Sequence, residues 1–156
     1  MARKPETQHE RYARCSTEGS IIPVAEVDLG QIQTMLTLSL QDWQAVRGWA
    51  VKSAKNGPEW NAIFKLHYDV LHQLAEALCL FDGIKVNTHE CLFAYICEKH
   101  QELDFAWNFL EDVRRKRNRS IYYGEPATYQ DWKRTELQLN LYINVLKKTI
   151  EKKLKT

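Results

Sequence analysis

The stretch from Pro58 to Gly83, PEWNAIFKLHYDVLHQLAEALCLFDG, decides the fold. Within it Ile63, Leu66, Val70, Leu74, Ala77 and Phe81 recur at steps of three and four, the signature of one face of a helix. Leu71 and Leu78 widen that face. So broad an apolar surface implies a central helix with neighbours on more than one side. Pro58 suits the first helical position and Gly83 the stop, so the helix is predicted from Pro58 to about Asp82.

The same period extends outward in both directions. Upstream, Ile32, Met35, Leu36, Leu40, Trp43, Val46, Ala50 and Ala54 predict a helix over about Gln31 to Asn56, stopped by Asn56-Gly57. Downstream, Asn87 and Glu90 have capping-box spacing ahead of Cys91-Leu92-Phe93-Ala94-Tyr95-Ile96, which predicts a short helix. Leu103, Ala106, Trp107, Leu110 and Val113 predict another over Glu102 to Tyr123, broken by Gly124-Glu125-Pro126. Thr128 caps the last, with Asp131 three residues on, and Trp132, Leu139, Tyr142, Ile143, Leu146, Ile150 and Leu154 line its inner face. No segment alternates as a strand, and there is no repeat or low-complexity tract. The expected fold is all-α: a bundle of four long helices plus one short helix over residues 28–156. Residues 1–27 are polar and aperiodic and are expected to form a flexible or loosely docked arm, in which only Ile21-Ile22-Pro23-Val24 could pack.

Length and composition bound the function. A chain of 156 residues suits one domain, and 44% hydrophobic residues can build a core. The net charge of +2 provides no global drive toward nucleic acid or membrane, so any basic patch is local. Two segments qualify: Glu111 to Arg119, with five Arg/Lys, and Lys147 to Thr156, with five lysines. The lysine tail is most simply a solvated helix end, though it could contact RNA or an acidic partner. No apolar run is long enough for a membrane span, and the polar start shows no signal peptide. Cys15, Cys79, Cys91 and Cys97 form no CxxC pair and are expected to be reduced thiols of a cytoplasmic protein. His89, Cys91, Cys97 and His100 fit no zinc-finger spacing, and no metal or other cofactor is called for. His67 and His72, five apart, do not share a helix face and are each expected to be packed or surface residues. His100 suits a capping role, and the five tryptophans suit core or interface anchors. There is no phosphate-binding glycine loop and no nucleophile motif.

The chemistry gathers at the end of the fourth predicted helix, Arg114-Arg115-Lys116-Arg117-Asn118-Arg119-Ser120-Ile121-Tyr122-Tyr123-Gly124. Arg117 follows Val113 by four residues and Leu110 by seven, so it continues the apolar stripe and faces inward. An inward guanidinium needs a carboxylate, carbonyls, a second subunit or a bound phosphate. Asn118 with Tyr122, Arg115 with Arg119, and Arg119 with Tyr123 are four apart and meet on shared faces. Arg114, Arg115, Arg117 and Arg119 could hold a phosphodiester while Tyr122 or Tyr123 stacks on a base. Basic residues in last helical turns also complement the helix dipole, which explains the run without any ligand.

Arg117-Asn118 with Tyr122, in an all-α chain of this size, resembles the HEPN domain superfamily. Upstream, Leu71-His72-Gln73-Leu74-Ala75-Glu76-Ala77-Leu78, then Gly83-Ile84-Lys85-Val86 and Thr88-His89, look like the end of the second HEPN helix, its turn and the start of the third. The resemblance covers about Gln31 to Leu154. It implies a small up-and-down helical bundle that forms a homodimer. Many such domains are metal-independent RNases, often toxins of toxin–antitoxin systems paired with a minimal nucleotidyltransferase; others are non-catalytic binding or scaffolding modules. The RNase motif is an Arg, usually followed by a polar residue, with a His four to six residues after the Arg. Arg117 and Asn118 match the first two positions, and Tyr122 stands where the histidine belongs. No histidine follows His100. Cleavage of RNA needs a base for the 2′-hydroxyl and an acid for the leaving oxygen, and histidine suits both; a tyrosine, with a reference pKa of about 10, is a poor base. The expectation is therefore a non-catalytic HEPN-like module that binds nucleotide, RNA or a nucleotidyltransferase partner. An RNase using Arg117, Asn118 and Tyr122 is the enzyme alternative, and a plain helical interaction domain is the third. Tyr122 and Tyr123 are, by the same resemblance, candidates for modification by such a partner.

Overall fold

The computed structural model describes residues 4–156. Along the chain run α1 (Gln8–Thr17), β1 (Ile21–Pro23), α2 (Leu29–Lys52), α3 (Trp60–Phe81), β2 (Ile84–Val86), α4 (His89–Lys99), a single 3-10 turn (Gln101–Leu103), α5 (Trp107–Tyr122) and α6 (Tyr129–Leu154). The all-α bundle of four long helices and the short α4 is as expected. Helix α3 is its axis: 12 of its 22 residues are buried, and it packs chiefly against α2 and α6. Ile63, Phe64, Tyr68, Leu71, Leu74 and Leu78 fill the centre. No helix among the described residues is long and apolar enough to cross a membrane.

Local chemistry sets most boundaries. Asp28 caps α2 by accepting from Gln31 N–H at 3.0 Å. Thr128 and Asp131 form a reciprocal capping box that starts α6. Gly124, at φ 66°, lets Glu125 N–H close on the Arg119 carbonyl and ends α5. Four expectations shift. Helix α2 ends at Lys52, short of the expected Asn56. Helix α3 begins at Trp60, with Pro58 in the turn before it, where Trp60 Nε1 donates to the Ala54 carbonyl. Thr88, not Asn87, caps α4 by accepting from Cys91 N–H. The helix expected from Glu102 starts only at Trp107, because Asp104 takes a left-handed conformation (φ 56°) and Ala106 N–H donates to the Tyr142 hydroxyl of α6 at 2.7 Å. A tertiary acceptor there replaces the missing local cap.

The largest correction concerns the expected flexible arm. From residue 4 onward it is built into the fold. Helix α1 packs on α4, and Arg11 and Cys15 are buried. Ile21, Ile22 and Pro23 pair antiparallel with Val86, Lys85 and Ile84. The strands are three residues each, too short for alternation to register in a sequence. Cys15 and Cys91 form a disulfide, which overturns the reading of these two as reduced thiols and removes the ground on which a cytoplasmic location rested. Cys79 and Cys97 are free and buried.

Candidate functional site

The arginines of α5 divide among three environments. Arg114 turns toward the N-terminal helix. Its guanidinium grips Glu111 through Nε (3.0 Å) and Nη2 (3.1 Å), and Arg11 of α1 grips the same carboxylate from the other side with two bonds of 3.2 Å. Glu111 is buried, at 4% exposure. Burial alone would push its carboxyl up; the hydrogen bonds and charges of Arg114 and Arg11 outweigh it and leave the group below the usual carboxylate range. Arg114 is therefore committed to structure.

Arg115, Asn118, Arg119, Tyr122 and Tyr123 form a second environment, a shallow outer concavity of about 240 Å³. It adjoins a groove between α5 and α6 where Arg115, Lys116, Arg119 and Arg134 stand against Asp112 and Asp131. Tyr122 is 71% exposed. This is a basic face with free aromatic rings, solvated as any helix end would be.

Arg117 occupies the third environment. It faces inward as the period predicts, and its side chain is only 20% exposed. The guanidinium lies 5.4 Å over the Tyr68 ring of α3, reaches Asp69 at 3.9 Å, and donates to Asn118 Oδ1 at 3.4 Å. Its Nε is buried without a hydrogen-bond partner among the described residues. Tyr68 leads onward to two histidines. Its hydroxyl shares a 3.0 Å hydrogen bond with Nδ1 of His89, and the His89 ring lies 3.7 Å from that of His72. Phe93 closes the cluster edge-on to both Tyr68 and His72.

The electrostatics of the cluster follow from burial beside cations. Burial, then His89, then Arg117 push His72 down to about 3. Burial, then Arg117 and Arg114 lower His89. Both imidazoles are neutral at physiological pH. Burial raises the Tyr68 phenol, and Arg117 only partly offsets this, so it stays protonated. Asp69 is raised by burial despite Arg117. A fixed guanidinium therefore stands beside two neutral imidazoles and a neutral phenol. Such a site favours an anion, whose charge would relieve the Arg117 repulsion and raise both imidazoles.

Of the residues singled out in the sequence, only Arg117 and Asn118 belong to this cluster. Tyr122 is on the outer face, and Arg114 is tied to Glu111. The sequence reading missed Tyr68, His72 and His89. His67 and His72 do diverge on α3 as expected, but His72 meets a histidine from the next helix, 17 positions on, which no helical period reveals. Neither the family resemblance, which spans both segments, nor the zinc spacing and helix-face spacing of these histidines brings the two together. His100 is more than a cap: it joins Asp82 (2.6 Å) to Glu102 (3.1 Å), and Tyr95 also donates to Asp82. No group of His, Cys, Asp and Glu suited to a metal ion occurs among the described residues. Comparison with family models, with curated proteins and with solved structures returns no match.

Proposed function

We propose that this chain is an HEPN-like helical module that binds a phosphate of RNA or of a nucleotide at Arg117, with the outer basic face holding the flanking backbone. One observation carries the reading: a guanidinium held on the inner side of α5, with an unpartnered Nε, beside neutral polar rings. Lys, Arg and phosphate chemistry accounts for the outer part. Arg115 and Arg119 supply charge, and Tyr122 and Tyr123 supply exposed rings for base stacking. A homodimer would double this basic face. The exposed apolar residues that would serve one lie mostly on α2 and α6 (Leu38, Val51, Leu137 and Leu141), with Ile121 and Tyr122 at the end of α5. A minimal nucleotidyltransferase of a toxin–antitoxin pair is the partner that the resemblance suggests.

The contact between His72 and His89 favours a second reading, metal-independent RNA cleavage. A neutral imidazole takes the 2′-hydroxyl proton, the 2′-oxygen attacks phosphorus, and the 5′-oxygen leaves with a proton from the second ring. The products are a 2′,3′-cyclic phosphate and a 5′-hydroxyl. The depressed imidazoles are the obstacle, because the acid must carry a proton; a bound phosphate would raise them toward neutrality.

Fluorescence anisotropy with single-stranded RNA tests the binding reading. Arg117→Ala should weaken binding by about tenfold, the worth of one charge-assisted contact, and Arg115→Ala should weaken it less. Binding indifferent to Arg117→Ala sinks the proposal and leaves the basic end as solvated surface. A chelator-treated cleavage assay separates the two readings: product formation lost in both Arg117→Ala and His72→Gln supports the nuclease, and intact RNA with retained binding supports the module.

A further inference from the structure

A second concavity lies between the end of α2, the first turns of α3 and the first turns of α6. It is a cleft of about 460 Å³ whose wall includes Trp60, His67, Tyr129 and Trp132. His67 is fully buried (0% exposed), with its ring 4.2 Å from that of Trp132. Nδ1 lies 2.8 Å from the Ile63 carbonyl, which can only accept, so Nδ1 carries the proton and donates. That fixes Nε2 as an acceptor. Nε2 is buried and has no hydrogen-bond partner among the described residues. A buried acceptor left without a donor is costly and uncommon in a native fold. Protonation does not resolve the cost, because burial holds His67 down to about 4.

The mouth of the cleft differs in character. Arg47 lies 4.8 Å over the Trp43 ring and Lys55 lies 5.9 Å from the Tyr129 ring; neither makes an ion pair among the described residues. Lys133 is paired with Glu136 at 3.0 Å, and Glu136 is the carboxylate on this wall. The rim is therefore net positive. Val51 and Leu137 flank it at 87% and 85% exposure, two bare aliphatic lips on otherwise polar turns. Apolar lips, an aromatic wall, an acceptor at depth and unpaired cations at the edge make one coherent set.

We infer that this cleft binds a flat, N–H-bearing heteroaromatic anion, with its ring between Val51 and Leu137, its N–H donated to His67 Nε2, and its acidic group against Arg47 and Lys55. An indole carboxylate and a nucleobase carrying its phosphate share this chemistry. The site is separate from the Arg117 cluster and does not depend on it.

Calorimetric titration of the full chain with indole-3-acetate and, separately, with UMP tests the inference and tells the two sources apart. Binding of one or both with a Kd below about 1 mM is expected. Lys55→Ala should weaken binding about fivefold, and His67→Phe, which keeps a flat ring but no acceptor, about tenfold or more. Arg117→Ala should leave the indole-3-acetate titration unchanged, and in the UMP titration it should remove only the separate site at Arg117. Failure of both probes to bind at about 10 mM overturns the inference, as does binding that neither variant weakens. Should His67→Phe not fold, Lys55→Ala and Arg47→Ala, both at the exposed rim, still decide the matter.

Discussion

Replacing Glu111 by alanine should be among the most damaging single changes in this chain. The carboxylate accepts four N–H bonds, two from Arg11 at 3.2 Å and two from Arg114 at 3.0 and 3.1 Å, inside a region where all three side chains are largely buried. Removing one partner from a buried ion cluster costs about 3–5 kcal/mol, because the remaining charges lose their compensation. Arg11 keeps weaker contacts to Glu6 (3.4 Å) and Glu90 (3.7 Å), and Arg114 can swing partly toward water. The lower end, about 3 kcal/mol, is therefore expected, with a fall in Tm on the order of 10 °C for a chain of this size. Urea unfolding of wild type, Glu111→Ala, Arg11→Ala and the double variant measures both the cost and the coupling. Arg11→Ala should cost less, since Arg114 still neutralises the carboxylate, and the coupling should exceed about 1 kcal/mol. Replacing Arg11 by methionine and Glu111 by leucine together should recover much of the loss. A Glu111→Ala cost below about 1 kcal/mol, the value of a surface pair, would refute the reasoning and mean that α1 is not held by this cluster.

Stability should also depend on pH in two opposed ways. His67 and His72 have folded pKa values of about 4 and about 3, below the unfolded value near 6.5, so the unfolded chain binds their protons first. Stability falls as pH drops below about 6.5 toward those values, and His67→Phe should flatten that limb. His100 is raised, chiefly by its hydrogen bond to Asp82, so its contribution is present below the unfolded value and is lost as pH rises through the folded one. Thermal unfolding between acid and mildly alkaline pH checks both; an acid limb unchanged in His67→Phe, or an alkaline limb unchanged in His100→Gln, contradicts the respective assignment. Reduction of the Cys15–Cys91 bond, across 76 residues, should lower stability by about 4 kcal/mol on the loop-entropy argument. Amide exchange in α1 and β1 should rise on adding reductant, and a reductant-insensitive Tm would contradict this.

What the sequence reveals here is periodic structure, and what it hides is contact between distant segments. The stripe from Ile63 to Phe81, except at Leu66, which faces solvent, the box of Thr128 and Asp131 and the Gly124 stop are local signals with local causes, and each is realised. The inward turn of Arg117 belongs with them, since it follows from the same period as Leu110 and Val113. Arg11 was unreadable because nothing near it in sequence says that a buried carboxylate waits 100 positions later. Cys15 lacks any spacing motif with Cys91. His72 and His89 are unremarkable until α3 and α4 are folded together, and then they become neighbours. The site is therefore half legible: its guanidinium by period, its imidazoles only through the tertiary fold.

The docking of α1 also sets a timetable. At roughly 5–20 residues per second, synthesis places Glu111 some 5–20 seconds behind Arg11, and Cys91 only a few seconds earlier than Glu111. Throughout that interval α1 has only its local partners, Glu6 and Glu18, for its arginines, and its thiol has nothing to bond to. It can settle only after α4 and most of α5 have left the ribosome. Helix α1 then waits for partners made after it, and Cys15 is joined to Cys91 two residues from His89, so the histidine cluster gains this part of its surroundings only once α4 is made.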